Sequence, residues 1–334
     1  QIYINRMPNS ALKWERTASY NIGIDFTVCG NRLSGSMETY MAETNDLLVS
    51  RSLPSILGYD NVKANLGTLT NRGFELTLNA NLIENKNFSW NSSGTFSFNR
   101  RKIKHLYGDK EEVKDADGNV IGYKEADDIA NKWFIGHDTD QIWDYERDGV
   151  WQLGEEEAAK YGNKPGDFKY IDQNNDGVMD NDDKIFQGYT TPRYRWSWRN
   201  EFTFYKNFNL SFMMYSHIGQ YGTFNRAANT GGMFDRYTVV DIPRWTKDNP
   251  TDDYGRLGSK NIGSNYVKKT FVRMENITLS YNIPQNFLKK FSVQNMRFSV
   301  AVRNPFVITG WTFGDPEGGD TTQRTVNFGV NFTL

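Results

Sequence analysis

Three features of the sequence predict an all-β protein whose long antiparallel strands form part of a large transmembrane β-barrel. Apolar and polar residues alternate over long stretches, as they do in strands with two different faces. Aromatic residues make up 15% of the chain and glycines number 29, although the mean hydropathy is strongly polar at −0.68. The connections between these stretches are alternately short and much longer.

The alternating stretches give the predicted strands. In the first, Tyr20, Ile22 and Ile24 share one face, while Asn21 and Asp25 fall on the other. The last predicted strand runs to Leu334. About nine strands are predicted, starting near Ser19, Arg32, Phe74, Phe88, Tyr194, Phe208, Phe271, Met296 and Gln323.

The length of these stretches distinguishes a membrane barrel from an ordinary sheet. Strands in globular proteins typically contain about 5–6 residues, whereas a tilted strand that crosses a bilayer needs about 9–11. Aromatic residues lie near many strand ends, as in the aromatic girdles of outer-membrane barrels. The opposite face is polar and often charged, which suits a water-filled lumen.

The predicted connections follow the outer-membrane pattern of short turns on one side and long loops on the other. Short turns are predicted at 29–31, 85–86 and 206–207, and long loops at 47–64, 101–192, 219–267 and 310–322. The connection from Pro284 to Asn295 is intermediate, with a short amphipathic helical turn on the short side. We therefore expect extracellular long loops, and short turns and a C-terminus in the periplasm.

The odd strand number predicts that residues 1–334 are the C-terminal part of a larger barrel domain that includes the long extracellular loop 101–192. Single-chain bacterial barrels normally contain an even number of strands. Unpaired strand edges are also costly within lipid. We therefore expect further strands upstream.

Composition excludes several other classes of protein. The formal net charge is −1, without the basic surplus that a nucleic-acid partner requires. Cys29 is the only cysteine, which excludes an internal disulfide framework. His105, His137 and His217 stand outside any recognised catalytic pattern, so we expect no enzyme activity and no catalytic residues.

An acidic segment, residues 172–183, has the spacing of a calcium-binding loop. Oxygen-bearing side chains recur at alternate positions, and Gly177 allows the sharp turn that wraps them around a cation. A solvated acidic turn is the alternative, but the full ligand pattern is far rarer than an acidic run, so calcium binding is favoured. The predicted ligands of a structural Ca²⁺ are Asp172, Asn174, Asp176, the carbonyl of Val178, Asp180 and Asp183.

Aromatic residues also cluster in the longest loop. They could stack on sugars as exposed anchors, or they could form the hydrophobic core that a loop of this length needs. The second interpretation is favoured. The cluster comprises Trp133, Phe134, Trp143, Tyr145 and Trp151.

Several separate blocks of the sequence resemble the SusC/RagA-type TonB-dependent transporters of the Bacteroidetes outer membrane. The blocks cover essentially the whole chain, and their order and spacing carry the resemblance. They are PNSALKWE (8–15), YNIGIDF (20–26), NRLSGSMETY (31–40), NLGTLTNRGFEL (65–76), DGVWQ (148–152), PGDFKYIDQNNDGVMDNDD (165–183), FVRMENITLSYNIP (271–284) and RNPFVITG with GDPE (303–317).

This resemblance implies active import of oligosaccharides or peptides across the outer membrane. It implies a SusD-like surface lipoprotein as partner and a possible dimer of transporter–lipoprotein pairs. It also implies a plug domain and a TonB box, which we expect to lie outside this chain, in the N-terminal part through which TonB acts. The sequence departs from the family in ending on Leu334 rather than on an aromatic residue.

Two alternatives remain open at this point. A soluble, β-rich protein that binds or degrades carbohydrate would also have aromatic-rich sheets and a calcium loop, but it would hide its apolar faces behind a second sheet. A self-contained porin would need an even number of strands.

Overall fold

A computed structural model of the chain describes residues 6–52, 56, 58–59, 61–65, 67–115, 117–223, 243–259, 265–291, 293–318 and 321–333. Leu334, which ends the last predicted strand, lies outside the described residues, as do parts of the predicted loops 47–64, 101–192, 219–267 and 310–322.

One nine-stranded antiparallel sheet dominates the molecule, as the sequence predicts. Each strand pairs with the next one along the chain, so the spatial order equals the sequence order. The strands are β1 (Arg16–Val28), β2 (Leu33–Asn45), β3 (Thr68–Glu84), β4 (Phe88–His105), β5 (Tyr194–Phe204), β6 (Phe208–Ile218), β7 (Phe271–Asn282), β8 (Asn295–Thr309) and β9 (Thr325–Thr333).

The register places the predicted apolar residues on one face, called here the apolar face. Phe74 of β3 stands opposite Phe98 of β4, and Phe202 of β5 stands opposite Leu210 of β6. The face is open to the surroundings: Tyr20 is 74% exposed and Phe328 is 80% exposed. The opposite side, called the polar face, carries mainly amide, hydroxyl and charged side chains.

Aromatic rings gather where the strands meet the short connections. The ring centroids of Phe88 and Phe204 are 5.2 Å apart, and those of Phe208 and Tyr281 are 4.4 Å apart. Trp90 and Phe202 stack nearby at 5.5 Å. This band has the position and chemistry of an interfacial aromatic girdle.

One amide interrupts the apolar face, with its oxygen hydrogen-bonded and its buried nitrogen without a partner among the described residues. Asn200 is fully buried among the aromatic side chains of the neighbouring strands. Its side-chain oxygen accepts a hydrogen bond of 2.9 Å from the indole nitrogen of Trp90, which offsets the cost of removing that oxygen from water.

Strands β3 and β4 extend further than the alternation predicts. β3 begins at Thr68 rather than near Phe74, and β4 continues to His105, into the predicted loop 101–192. The apolar face ends below these extensions because Arg72 and Arg100 replace hydrophobic residues there. A hydrophobic pattern cannot show strand residues whose side chains are polar on both faces.

Short and long connections alternate as predicted. The connections 29–32, 85–87, 205–207 and 283–294 leave one end of the sheet, and 46–67, 106–193, 219–270 and 310–324 leave the other. The predicted helical turn is confirmed as helix α1 (Gln285–Leu288) followed by a 3₁₀ helix (Lys289–Phe291). No helix of the described residues is long and apolar enough to cross a membrane.

The long connections contain short strands of their own. Strand Asn61–Asn65 pairs antiparallel with Leu48–Ser52 of the same connection, and in parallel with Arg6–Met7, which precedes β1. Four antiparallel pairs follow: Lys110–Lys114 with Val120–Glu125, Gln141–Tyr145 with Lys184–Tyr189, Arg147–Val150 with Phe168–Tyr170, and Tyr221–Thr223 with Tyr266–Lys268. Further 3₁₀ turns occupy Glu156–Ala159 and Asn181–Asp183.

Gly73 allows a close contact across three strands on the polar face. The ring of Tyr40 on β2 lies over Gly73 on β3, and its hydroxyl contacts the side-chain oxygen of Asn99 on β4 at 3.3 Å. A Cβ at Gly73 would lie 2.3 Å from the Tyr40 hydroxyl and 2.8 Å from the Phe98 carbonyl oxygen. Only glycine leaves room for this ring.

Gly73→Ala is expected to destabilise the barrel by about 1–3 kcal/mol, because Tyr40 and the backbone must shift to admit the methyl group. Thermal unfolding of the purified protein in detergent measures the change. Gly94→Ala is the matched control, since its Cβ would meet nothing closer than 3.5 Å. Equal stability of the two variants would contradict the proposed packing.

Candidate functional site

The polar face is a water-accessible surface built from small polar side chains. Near the short connections it forms a shallow pocket of about 340 Å³, lined largely by asparagine and serine with Arg32, Arg199 and Glu201. Arg199 and Glu201 form an exposed ion pair of 2.5 Å within β5. Such a surface offers hydrogen bonds to a polar ligand or to another polar protein segment.

Two long connections fold together at the opposite end of the sheet. We call residues 106–193 together with 243–259 the loop assembly. Its largest core cluster contains Val150, Phe168 and Tyr170 from the first connection and Trp245 from the second, all at most 8% exposed. Burial of these side chains, rather than extensive secondary structure, holds the assembly together.

Hydrogen bonds and an ion pair join the same two connections. The indole nitrogen of Trp245 donates to the Gln152 side-chain oxygen at 2.8 Å. Arg256 pairs with the buried carboxylate of Asp167 at 2.8 Å, and its amide donates to the Gly166 carbonyl. Gly166 has a φ of +89°, and a Cβ there would lie 2.5 Å from the Trp245 ring. Glycine is therefore required at this junction.

The aromatic residues of the longest loop form a core, as favoured above. Phe134, Trp143 and Trp151 are buried, while Trp133 and Tyr145 are half-buried. The rings of Phe134 and Trp143 lie 4.8 Å apart. These three buried rings are not available to stack on a sugar.

A buried ion pair fixes the end of the loop assembly that adjoins β5. Arg193, just before β5, donates to the carboxylate of Asp138 at 2.6 Å and packs over the Tyr189 ring at 3.6 Å. His137 does not pair with the neighbouring Asp138; its ring stacks on Phe186 at 4.1 Å. The structure thus gives His137 a packing role.

The last long connection folds back over the polar face, where a second buried ion pair fixes it. Arg273 on β7 donates two hydrogen bonds, of 2.8 and 2.6 Å, to the carboxylate of Asp315. Both side chains are about 95% buried. Glu317 reaches across to β6 and accepts a hydrogen bond of 2.6 Å from the Tyr215 hydroxyl. Sequence reasoning did not identify these residues.

The environment of Asp315 strongly favours its charged form. Burial by itself raises the pKa of this carboxyl, but hydrogen bonds from Thr322, Arg273 and the amides of Glu317 and Gly318 outweigh it. The net effect holds the pKa of Asp315 at about 2. The ion pair therefore persists at every pH at which the folded protein is expected to work.

The acidic segment 172–183 folds as a compact loop at the edge of the loop assembly. Asp172 Oδ2 accepts hydrogen bonds from the Gly177 amide at 2.8 Å and from the Tyr161 hydroxyl at 2.9 Å. Asn174 and Asp176 accept from amides two residues ahead of them. Burial by itself raises the pKa of Asp172. The hydrogen bonds that Asp172 accepts from Gly177 and Tyr161 outweigh this effect, so its pKa lies below the usual range.

The predicted calcium ligands are only partly oriented for a shared cation. Asp172 Oδ1 is buried and has no hydrogen-bond partner among the described residues, as expected for an oxygen that serves as a metal ligand. Asp180 and Asp183, in contrast, cap the 3₁₀ helix Asn181–Asp183 reciprocally. Among the described residues, no group of three or more His, Cys, Asp or Glu side chains is placed to hold a metal ion.

Comparisons with known proteins agree with this architecture. The family model described as "TonB dependent receptor-like, beta-barrel" matches residues 1–212. The chain belongs to this family.

The sequence of this receptor barrel is similar to those of named TonB-dependent receptors. It is 29% identical to TonB-dependent receptor P3 of Formosa agariphila, over 99% of this chain and 34% of that protein. It is 27% identical to TonB-dependent receptor SusC of Bacteroides thetaiotaomicron, over 92% of this chain and 30% of SusC. The chain thus spans about a third of the length of the curated relatives it matches.

A solved structure shows the same fold. The structure of the RagAB peptide transporter matches this receptor barrel with a TM-score of 0.70 and 21% identity, over 98% of this chain and 36% of that chain. The relatives are named as receptors and transporters rather than enzymes, in line with the expectation for this chain.

Asp315→Asn is expected to destabilise the receptor barrel by about 3–5 kcal/mol, because it removes the buried partner of Arg273 and leaves only the half-exposed carboxylate of Glu317, 3.8 Å away. Denaturant unfolding and limited proteolysis of the connection 310–324 measure the loss. Glu201→Gln is the control, since the exposed Arg199–Glu201 pair contributes about 0–1 kcal/mol. A similar loss of unfolding free energy in both variants would contradict the claim that the buried pair stabilises the protein more than the exposed one.

The same pair predicts a dependence of stability on pH. The folded-state pKa of Asp315 is depressed to about 2 from an ordinary value of 3.8. Its stabilisation is therefore complete above about pH 4 and is lost as the pH falls through the folded-state value. Asp315→Asn should remove this part of the acid sensitivity. An unchanged acid profile in the variant would show that other carboxylates dominate.

Proposed function

We propose that this chain is the C-terminal part of the barrel of an outer-membrane, TonB-dependent transporter that imports oligosaccharides or peptides. The observation that carries the proposal is the long antiparallel sheet with one exposed apolar face and one polar face. An apolar face of this kind is stable against lipid, and the polar face opposite it suits a water-filled lumen.

In this proposal the long connections are extracellular, and the short connections and the C-terminus are periplasmic. The loop assembly then surrounds the external opening of the lumen. Its buried clusters hold it in one shape, so that it can present a defined surface to a substrate or a partner. The pocket near Arg32 and Glu201 would lie at the periplasmic end, where its polar lining suits the plug domain of the complete transporter.

The proposed partners are a SusD-like surface lipoprotein over the loop assembly, and TonB acting through the part of the transporter outside this chain. Similarity to SusC and to the RagAB peptide transporter supports this pairing. A dimer of transporter–lipoprotein pairs belongs to the same proposal. The remaining barrel strands would pair with β1 and β9, each of which has one paired edge among the described residues.

The soluble alternative fits the structure less well. A soluble sandwich covers its apolar faces with a second sheet. The other sheets of the described residues contain two or three strands each and belong to the connections. Ile22, Ile308 and Phe332 remain more than 60% exposed on the apolar face, so water would meet a large hydrophobic surface.

Deletion of the gene that encodes the complete transporter is expected to abolish uptake of its substrate by whole cells. Fluorescent oligosaccharides and fluorescent peptides, offered in separate assays, identify the substrate class. Loss of TonB should reduce uptake to the same extent, whereas re-expression of the transporter should restore it. Uptake of both probes that is independent of the transporter and of TonB would contradict the proposal.

We further propose that the acidic loop 172–183 binds a structural Ca²⁺. The spacing of its oxygens and the buried, unpartnered Asp172 Oδ1 support this proposal. Asp172, Asn174, Asp176 and the Val178 carbonyl would supply the first ligands. Asp180 and Asp183 would have to turn from their capping hydrogen bonds to complete the site.

The double variant Asp172→Ala, Asp176→Ala is expected to lose one bound Ca²⁺ per chain and to expose the loop to proteases, because Ca²⁺ requires several oxygen ligands. Metal content and proteolysis with and without chelator measure both effects. Asp115→Ala is the control, since Asp115 accepts amide hydrogen bonds in another acidic turn, 115–119, which lacks the glycine at position 6 and the acidic residues at positions 9 and 12 of a calcium loop. Unchanged metal content in the double variant would identify a merely acidic turn.

A further inference from the structure

Two arginines stand side by side at the edge of the apolar face. Arg72 of β3 is directly opposite Arg100 of β4 in the register. By strand alternation both belong to the face that carries Phe74 and Phe98, one residue pair nearer the long connections. Below them the face is apolar. Above them stand Thr70 and Lys102.

Arg72 and Arg100 have no counter-charge among the residues that the structure describes. No carboxylate of the described residues lies within ion-pair distance of Arg72, Arg100 or Lys102. The carboxylate next to them on this face, Glu43 of β2, already pairs with Lys104 at 2.8 Å. Like charges directly opposite each other destabilise a sheet. The arrangement therefore favours an external anion that neutralises both.

The protein holds Arg100 in a fixed position. Its guanidinium carbon lies 4.9 Å from the centroid of the Tyr194 ring and 5.3 Å from that of Phe98. One terminal nitrogen donates to the carbonyls of Asn99 and Arg193 at 2.8 and 2.6 Å. A guanidinium held in this way loses less rotamer entropy when it binds a ligand. Its remaining N–H groups have no hydrogen-bond partner among the described contacts.

A shallow pocket lies between the two arginines and the neighbouring aromatic residues. Its volume is about 340 Å³, and its lining is Thr39, Arg72, Gly73, Phe98, Arg100 and Tyr194. The lining combines two cations with two aromatic rings and a hydroxyl. Guanidinium groups bind phosphate through paired hydrogen bonds, while aromatic rings at this level favour the interface between lipid tails and headgroups.

We propose that Arg72 and Arg100 bind a phosphate group of a lipid headgroup in the outer leaflet of the membrane. The assignment to the outer leaflet rests on the orientation proposed above, with the long connections outside. Lipid tails would lie along the apolar face beneath the pocket, and the phosphate would enter it between the two guanidinium groups. Lys102 adds positive charge above the pocket.

Simple snorkelling of arginines toward water is the competing explanation. It would place single cations at this level, but it does not require two opposed cations around a pocket. The two explanations differ in one measurable property. A snorkelling arginine prefers phosphate through its charge alone, so lysine would serve as well, whereas the proposed site depends on paired hydrogen bonds that only a guanidinium group can donate.

Native mass spectrometry of the complete transporter in detergent tests the proposal. The probes are a glucosamine-based lipid that carries a phosphate monoester, the same lipid after dephosphorylation, and inorganic phosphate alone. We expect the phosphorylated lipid to bind roughly tenfold more tightly than the dephosphorylated one, since charge-assisted hydrogen bonds are the stronger class. Arg72→Gln and Arg100→Gln should each remove most of this preference.

Two controls separate charge from geometry. Arg195→Gln removes a positive charge from the polar face and should leave the preference unchanged. Arg72→Lys keeps the charge but not the paired hydrogen bonds, so it should retain a reduced preference. The Arg72→Gln variant is expected to fold, because the Arg72 side chain is exposed and forms no ion pair with the described residues.

Three results would overturn the proposal: equal binding of both lipids, an undiminished preference in Arg72→Gln and Arg100→Gln, or inorganic phosphate that binds as tightly as the phosphorylated lipid. The last result would identify a site for free anions. Lipid binding is read without transport, so a transporter that imports neither probe substrate can still show the lipid preference. Failure of the proposed function and failure of this site are therefore distinguishable.

Discussion

The structure depends on one constraint: a backbone that lies in hydrocarbon must hydrogen-bond to itself throughout. Antiparallel strands that pair with their sequence neighbours meet this constraint throughout the nine-stranded sheet. Pairing fixes the strand geometry, and strand geometry sends successive side chains to opposite faces. The same alternation therefore produces the exposed apolar face and the polar face, and it explains how a chain with a mean hydropathy of −0.68 can carry a membrane surface. In the proposed transporter, further strands would satisfy the outer edges of β1 and β9.

The long connections meet a different requirement. They lie in water, where side-chain clusters and buried ion pairs must give them a fixed shape. Trp245 and Val150 pack together although they come from different connections, and Arg193 and Arg273 join two of the connections to strand ends through buried carboxylates. Breaking such a pair leaves an uncompensated buried charge, so these contacts resist local opening. A loop assembly of this kind can present the same surface to a substrate or a lipoprotein in each encounter.

The sequence alone predicts the strands because their signal is local. The starts of β4, β5, β6 and β7 coincide with the predicted positions, and the helical turn within 284–295 is present. Strand ends are predicted less well, because the alternation disappears where polar residues occupy both faces. For this reason the sequence does not predict that β3 begins at Thr68 or that β4 continues to His105. The contacts of Arg273 with Asp315 and of Trp245 with Phe168 join distant parts of the chain, and no short pattern encodes them. The acidic loop lies between these cases: its turn is local and present, while occupancy by Ca²⁺ stays a prediction.

The account is tested most directly by measuring which face of the sheet meets lipid. Leu279 and Thr278 are neighbours on β7 and project to opposite faces. Cys29, the only cysteine of this sequence, and any cysteine elsewhere in the complete transporter can first be replaced by serine. Spin labels at Leu279→Cys and Thr278→Cys in the reconstituted transporter can be compared for collision with oxygen, which concentrates in lipid, and with a water-soluble nickel complex. The account predicts that the label at 279 is accessible to oxygen and shielded from nickel, and that the label at 278 shows the reverse. Equal accessibility of the two labels, or the opposite assignment, would contradict a lipid-facing apolar surface.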